Sequence, residues 1–135
     1  MLSPSPSFVA TTGRWNIPAG TLPVFDRQMH FLPFEEIVMI EGDGNYTLFY
    51  CTNGRRIMVS KTLRDYEKLL GEKHTFFRVH KSYLINLQHV VRYDVKGEDS
   101  VWMKNGKIVG VARRRKQEFD LVMRKFQSYR NAITF

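Results

Sequence analysis

Two Asn-Gly dipeptides constrain this chain more than any other feature. Thr52-Asn53-Gly54-Arg55 lies between Tyr46 to Cys51 and Arg56 to Ser60. Lys104-Asn105-Gly106-Lys107 lies between Ser100 to Met103 and Ile108 to Val111. Each set reads as an antiparallel hairpin, because Asn-Gly tolerates positive φ at both central positions of a tight reversal. A chain with two such reversals folds mainly as antiparallel β structure.

The stretch Phe77-Arg78-Val79-His80-Lys81-Ser82-Tyr83-Leu84-Ile85-Asn86 adds to this. Phe77, Val79, Tyr83 and Ile85 sit at odd positions and predict one buried face. Arg78, His80 and Ser82 fall on the other face, with Lys81 at the break in the middle. Phe76 to Val95 as a whole reads as two or three strands. A basic and polar cluster on a rigid β scaffold suits the reading of an anionic polymer better than catalysis.

Elsewhere, Ile37 to Glu41 predicts a short strand and Gly42-Asp43-Gly44-Asn45 a loop. Thr62 followed by Asp65 resembles a capping box, with Leu63, Tyr66, Leu69 and Leu70 as the apolar face and Gly71 as the stop. A second helix is expected from Arg114 to Gln127, where Phe119, Val122, Met123 and Phe126 fall at helical spacing. Pro18, Gly20, Pro23 and Pro33 break Trp15 to Leu32 into edge strands. Residues 1–13, rich in Ser, Pro and Thr, are expected to be a flexible tail, 14–130 one domain and 131–135 a C-terminal tail.

With 135 residues, 43% of them hydrophobic, the chain suffices for one domain with a core that needs no staple. The single cysteine, Cys51, lies in a strand-like apolar run, which points to a buried structural thiol and a reducing cytoplasm. No apolar run approaches the roughly 18 residues of a membrane span, and no signal peptide is visible. Lys+Arg 21 against Asp+Glu 13 gives a net charge of +8. That balance points to a polyanion, nucleic acid first and an acidic membrane surface second.

Enzymatic chemistry finds little footing. His30, His74, His80 and His89 have no metal-ligand spacing with Cys51 or a carboxylate, so no metal or cofactor is expected. Glu41-Gly42-Asp43-Gly44 lacks the Lys and the helix of a phosphate loop. The carboxylates Glu35 and Glu36 suit a solvated turn. Arg113-Arg114-Arg115-Lys116 is different, because it opens the expected C-terminal helix, where cations oppose the dipole. A bound phosphate accounts for the cluster better than a solvated face does. Asn45-Tyr46 closes a Gly-rich loop whose small bulk allows approach to base edges. His80 and Asn86 read as braces for local backbone, and Lys81 as the contact residue between them.

Taken in order, Glu41 to Thr47, Thr62-Leu63, Phe77 to Asn86 and Val111 to Arg115 resemble the LytTR DNA-binding domain of bacterial transcription regulators. The resemblance spans about Val24 to Phe126. It implies a mainly β fold, an elongated stack of antiparallel sheets with two short peripheral helices. It implies loops inserted into successive major grooves of double-stranded DNA, paired repeats as targets, a homodimer on DNA, and a sensor kinase or partner regulator upstream. Asn45, Tyr46, Lys81 and Arg113 would contact bases. Arg78, Ser82, Arg114, Arg115 and Lys116 would hold phosphates. Two other readings remain open: a single-strand or RNA-binding β domain stacking bases on Tyr46, Tyr50, Tyr83 and Tyr93, and a LytTR-like module that sequesters another regulator.

Overall fold

The computed structural model describes residues 8–9, 17–70 and 75–133. Phe8–Val9 (β1) pairs with Ile17–Pro18 (β2), and Thr21–Phe25 (β3) pairs with Met29–Pro33 (β4). Ile37–Asp43 (β5), Tyr46–Cys51 (β6) and Arg56–Val59 (β7) follow, then the helix Leu63–Leu70 (α1), then Phe76–His80 (β8) and Tyr83–Asn86 (β9). These five strands form one antiparallel sheet in the order β7-β6-β5-β9-β8. Val90–Asp94 (β10), Ser100–Met103 (β11) and Ile108–Gly110 (β12) make a three-stranded sheet, and Lys116–Ile133 (α2) is the last helix.

Side chains of the five-stranded sheet divide between two cores. Ile40, Phe49, Ile57, Phe76 and Leu84 pack with Leu22, Val24 and Leu32 from the β3–β4 sheet and with Leu63, Tyr66 and Leu70 from α1. Met39, Tyr50, Phe77, Val79 and Ile85 pack on the opposite side with Val101, Met103 and Val109 from the three-stranded sheet and with Phe119 and Met123 from α2. The middle sheet is therefore covered on both faces.

That coverage alters the expected pattern over Phe77 to Asn86. Phe77, Val79 and Ile85 share a buried face as expected, with Tyr83 half-buried. The opposite face is not polar throughout, because Phe76 and Leu84 enter the other core. Alternation loses its contrast when a sheet is buried on both sides. The segment is a hairpin reversing at Lys81-Ser82, with Phe77 opposite Ile85.

Both Asn-Gly hairpins form, but by a different turn from the one expected. Gly54 and Gly106 have φ of 83° and 90°, whereas neither Asn53 nor Asn105 has a positive φ. Gly54 N–H donates to Cys51 O (3.0 Å) and Gly106 N–H to Met103 O (2.9 Å). Each asparagine Oδ1 accepts instead from the amide two residues on, Arg55 or Lys107. Glycine alone supplies the left-handed residue of these longer loops.

The Thr62–Asp65 capping box is present, with Thr62 Oγ1 donating to Asp65 Oδ2 (3.0 Å). On α1, Leu63, Tyr66 and Leu70 are buried, but Leu69 is exposed, and Gly71 lies outside the described residues. A 3-10 turn over Arg113–Arg115 precedes α2, which runs past Gln127 to Ile133. Of the expected tail over 1–13, only Phe8 and Val9 are described, and Trp15 also lies outside. Cys51 is free and buried, and burial pushes its thiol up.

Asn86 is fully buried at the end of β9. Its Nδ2 donates to Phe34 O (3.1 Å) and Ile37 O (2.8 Å), and its Oδ1 accepts from Thr75 Oγ1 (2.8 Å) and Gln88 N (3.0 Å). All of its hydrogen-bonding capacity is spent on bracing backbone. Asn86→Ala should cost about 2–4 kcal/mol in urea denaturation, since it strands buried carbonyls; a loss below about 1 kcal/mol would remove the brace from the explanation of the fold.

Tyr50 and Tyr66 are pushed up to about 12 from 10.0 by burial, Tyr50 with help from its hydrogen bond to Glu41 and Tyr66 from the nearby Asp65. The folded chain thus keeps phenolic protons that the unfolded chain releases. Stability should be complete below about pH 10 and decline as pH rises toward 12. The phenolate absorbance of Tyr50 and Tyr66, isolated by difference from Tyr50→Phe and Tyr66→Phe, should appear together with the loss of near-ultraviolet dichroism, and ionisation of both phenols well before unfolding would contradict this.

Candidate nucleic-acid interface

Three segments distant in sequence meet at one end of the five-stranded sheet. β5 and β6 reverse at Gly44-Asn45, with Asp43 opposite Tyr46, so the expected four-residue loop is a two-residue turn. Gly44 has φ 62°, as the first central position of a type II′ turn requires. β8 and β9 reverse at Lys81-Ser82. Because β5 pairs with β9, Glu41 opposite Tyr83, the two turns emerge side by side, and Gly42 N–H donates to Ser82 O (2.8 Å). The third segment runs against β8: Ala112 N–H donates to Val79 O (2.9 Å), and Arg115 Nε to Arg78 O (2.9 Å).

Gly42 also sets how α1 approaches this end. A Cβ there would lie 2.8 Å from Leu63 Cβ, so only glycine admits the first turn of the helix. Arg64 consequently lines a hollow with Gly44, Lys81 and Ser82. Sequence reasoning missed Arg64. Its one signal was a glycine inside a strand, which marks a close approach without naming what approaches.

The cations fall into two groups. Arg64, Lys81, Arg113 and Arg114 are exposed, and their side chains make no hydrogen bond or ion pair with the described residues. Arg78, Arg115 and Lys116 are held internally. Arg78 Nη1 meets Glu67 Oε1 (2.6 Å), Nε donates to His80 O (3.1 Å), and Nη2 donates to Lys81 O. Arg115 meets Glu118 Oε1 (2.6 Å) and lies 4.5 Å over the Phe77 ring. Lys116 Nζ meets Asp99 Oδ1 (3.1 Å). The cation cluster before α2 is thus partly explained by carboxylates of the same chain.

The remaining expected residues are placed as follows. Asn45 is exposed in its turn, and Tyr46, 54% exposed, opens β6 beside Glu41 and Asp43. Ser82 is half-buried, and its N–H donates to His80 Nδ1 (3.1 Å), so His80 braces the turn as expected. Of the four tyrosines considered as stacking platforms, Tyr50 is buried and donates to Glu41 Oε1 (2.7 Å). Tyr83 and Tyr93 pack against the second core, which leaves Tyr46. The four tyrosines therefore do not form a row of exposed rings for unpaired bases.

The fold is similar to a solved structure described as the LytTr DNA-binding domain of a putative methyl-accepting/DNA response regulator from Bacillus cereus. The TM-score is 0.64 at 19% identity, covering 77% of this chain and 96% of that one. No curated protein matches the chain. The LytTr DNA-binding domain family matches residues 27–124, which take in β4, both turns, α1, the five-stranded and three-stranded sheets and the first turns of α2. The chain belongs to the LytTR family of DNA-binding domains.

Proposed function

We propose that this chain is the DNA-reading part of a transcription regulator, binding duplex DNA with sequence preference. The Gly44-Asn45 turn, the Lys81-Ser82 turn and the segment entering α2 enter successive major grooves. One observation supports this above the others. Backbone hydrogen bonds from Gly42 to Ser82 and from Ala112 to Val79 fix the three segments on one end, with exposed cations on two of them that have no ion-pair partner among the described residues.

Base edges are met by Asn45 and Tyr46 on one side, Lys81 in the middle and Arg113 on the other. A bidentate Arg113–guanine pair is the natural use of that guanidinium. Arg64, Arg114 and Ser82 take phosphates. Arg78, Arg115 and Lys116 reach a phosphate only by giving up Glu67, Glu118 and Asp99. Two copies on paired repeats, under the control of a kinase or partner regulator, complete this reading.

Selection from a random duplex library should enrich a paired repeat, and recovery of unrelated sequences alone would contradict sequence reading. On the selected site, Arg113→Ala should cost about 1–3 kcal/mol and relax one base position, with random duplex little affected. Arg114→Ala should instead weaken both duplexes and flatten the salt dependence by roughly one phosphate. Equal behaviour of the two variants would overturn the division between base and phosphate contacts.

A further inference from the structure

Glu67 lies on α1 and lines the same hollow as Arg78, His80, Lys81 and Arg114. A carboxylate in a groove meant for a polyanion opposes sequence-independent attraction. The three nitrogens of Arg78 are all engaged. Nε and Nη2 donate to the carbonyls of His80 and Lys81, the backbone of the reading turn, and Nη1 meets Glu67 at 2.6 Å. A phosphate oxygen competes for Nη1 without disturbing the two bonds to the turn. Glu67 already stands there.

The geometry points to Glu67 as a specificity-determining residue. By occupying Nη1, it keeps Arg78 as the clamp of the Lys81 turn and withholds it from the phosphate backbone. This rests on the DNA reading above. Non-specific affinity rises with each phosphate neutralised, whereas discrimination depends on how rigidly Lys81 is presented. Glu67 lowers the first while its partner secures the second. Glu118 on Arg115 and Asp99 on Lys116 repeat the arrangement at the neighbouring segment.

The test compares selected and random duplexes across a salt series for the wild-type chain, Glu67→Ala, Arg78→Gln and the double variant. Ala is the best helix former and Glu67 is half-exposed, so the helix is retained. Thermal melts confirm that each protein is folded. Glu67→Ala should bind random duplex about fivefold to tenfold more tightly at roughly 0.1 M salt, with the salt slope steeper by about 0.9. Affinity for the selected site should rise less, so the ratio of the two falls.

Arg78→Gln alone should keep the wild-type salt slope while losing affinity for the selected site. In that background Glu67→Ala should raise random binding only by the loss of its own charge, well short of the gain beside Arg78, and should leave the salt slope unchanged. Glu36→Gln, the same change of charge beyond the opposite end of β5, should match the wild type. The inference is overturned if Glu67→Ala leaves random binding unchanged, raises both duplexes equally, steepens the salt slope without Arg78, or is matched by Glu36→Gln. Failure of the wild-type chain to retain any duplex would instead overturn the DNA reading itself, and this inference with it.

Discussion

The antiparallel pairing of β5 with β9 is the contact on which the proposed reading end depends. It joins two hairpins from different parts of the chain, and its last bond, Gly42 N–H to Ser82 O, sets their turns side by side. Two cores secure it from opposite faces, with Ile40 and Leu84 in one and Met39 and Ile85 in the other. Asn86 ties the far end of β9 to the carbonyls of Phe34 and Ile37. Turns of two residues on such a frame have little freedom to rearrange, and rigid presentation is what discrimination between base edges demands.

Electrostatics adds a second layer to this geometry. The chain carries a net +8, yet the cations at the reading end are not equivalent. Arg64, Lys81, Arg113 and Arg114 face outward, whereas Arg78, Arg115 and Lys116 spend their donors on the protein. Exposed ion pairs of this kind add little to stability, roughly 0–1 kcal/mol each. Under the proposed function, they decide which donors meet a phosphate first.

Much of this was legible in the sequence, for local reasons. The Asn-Gly reversals, the Thr62–Asp65 cap and the bracing roles of His80 and Asn86 depend on residue types at short spacing. The four blocks that resemble LytTR domains also pointed to the segments carrying Tyr46, Lys81 and Arg113, which the backbone bonds Gly42–Ser82 and Ala112–Val79 join at one end of the sheet. What escaped were relations between distant elements. The partners of Arg78 and Lys116 lie on α1 and in the β10–β11 connection, and no periodicity announces them. Arg64 joins the site because Gly42 lets Leu63 approach, which appears once α1 is seen against the sheet. Leu69 was misjudged as part of the buried face of α1 for the related reason that burial depends on which layers cover an element.

The most direct test follows backbone amide resonances of this 15.9 kDa chain while duplex DNA carrying a selected repeat is added. The expected result is a set of shifts confined to residues 44–46, 62–64, 81–82 and 112–116, saturating together. Shifts centred on the outward face of the β10–β12 sheet or of the β3–β4 sheet, with the two turns unperturbed, would contradict the proposed reading end.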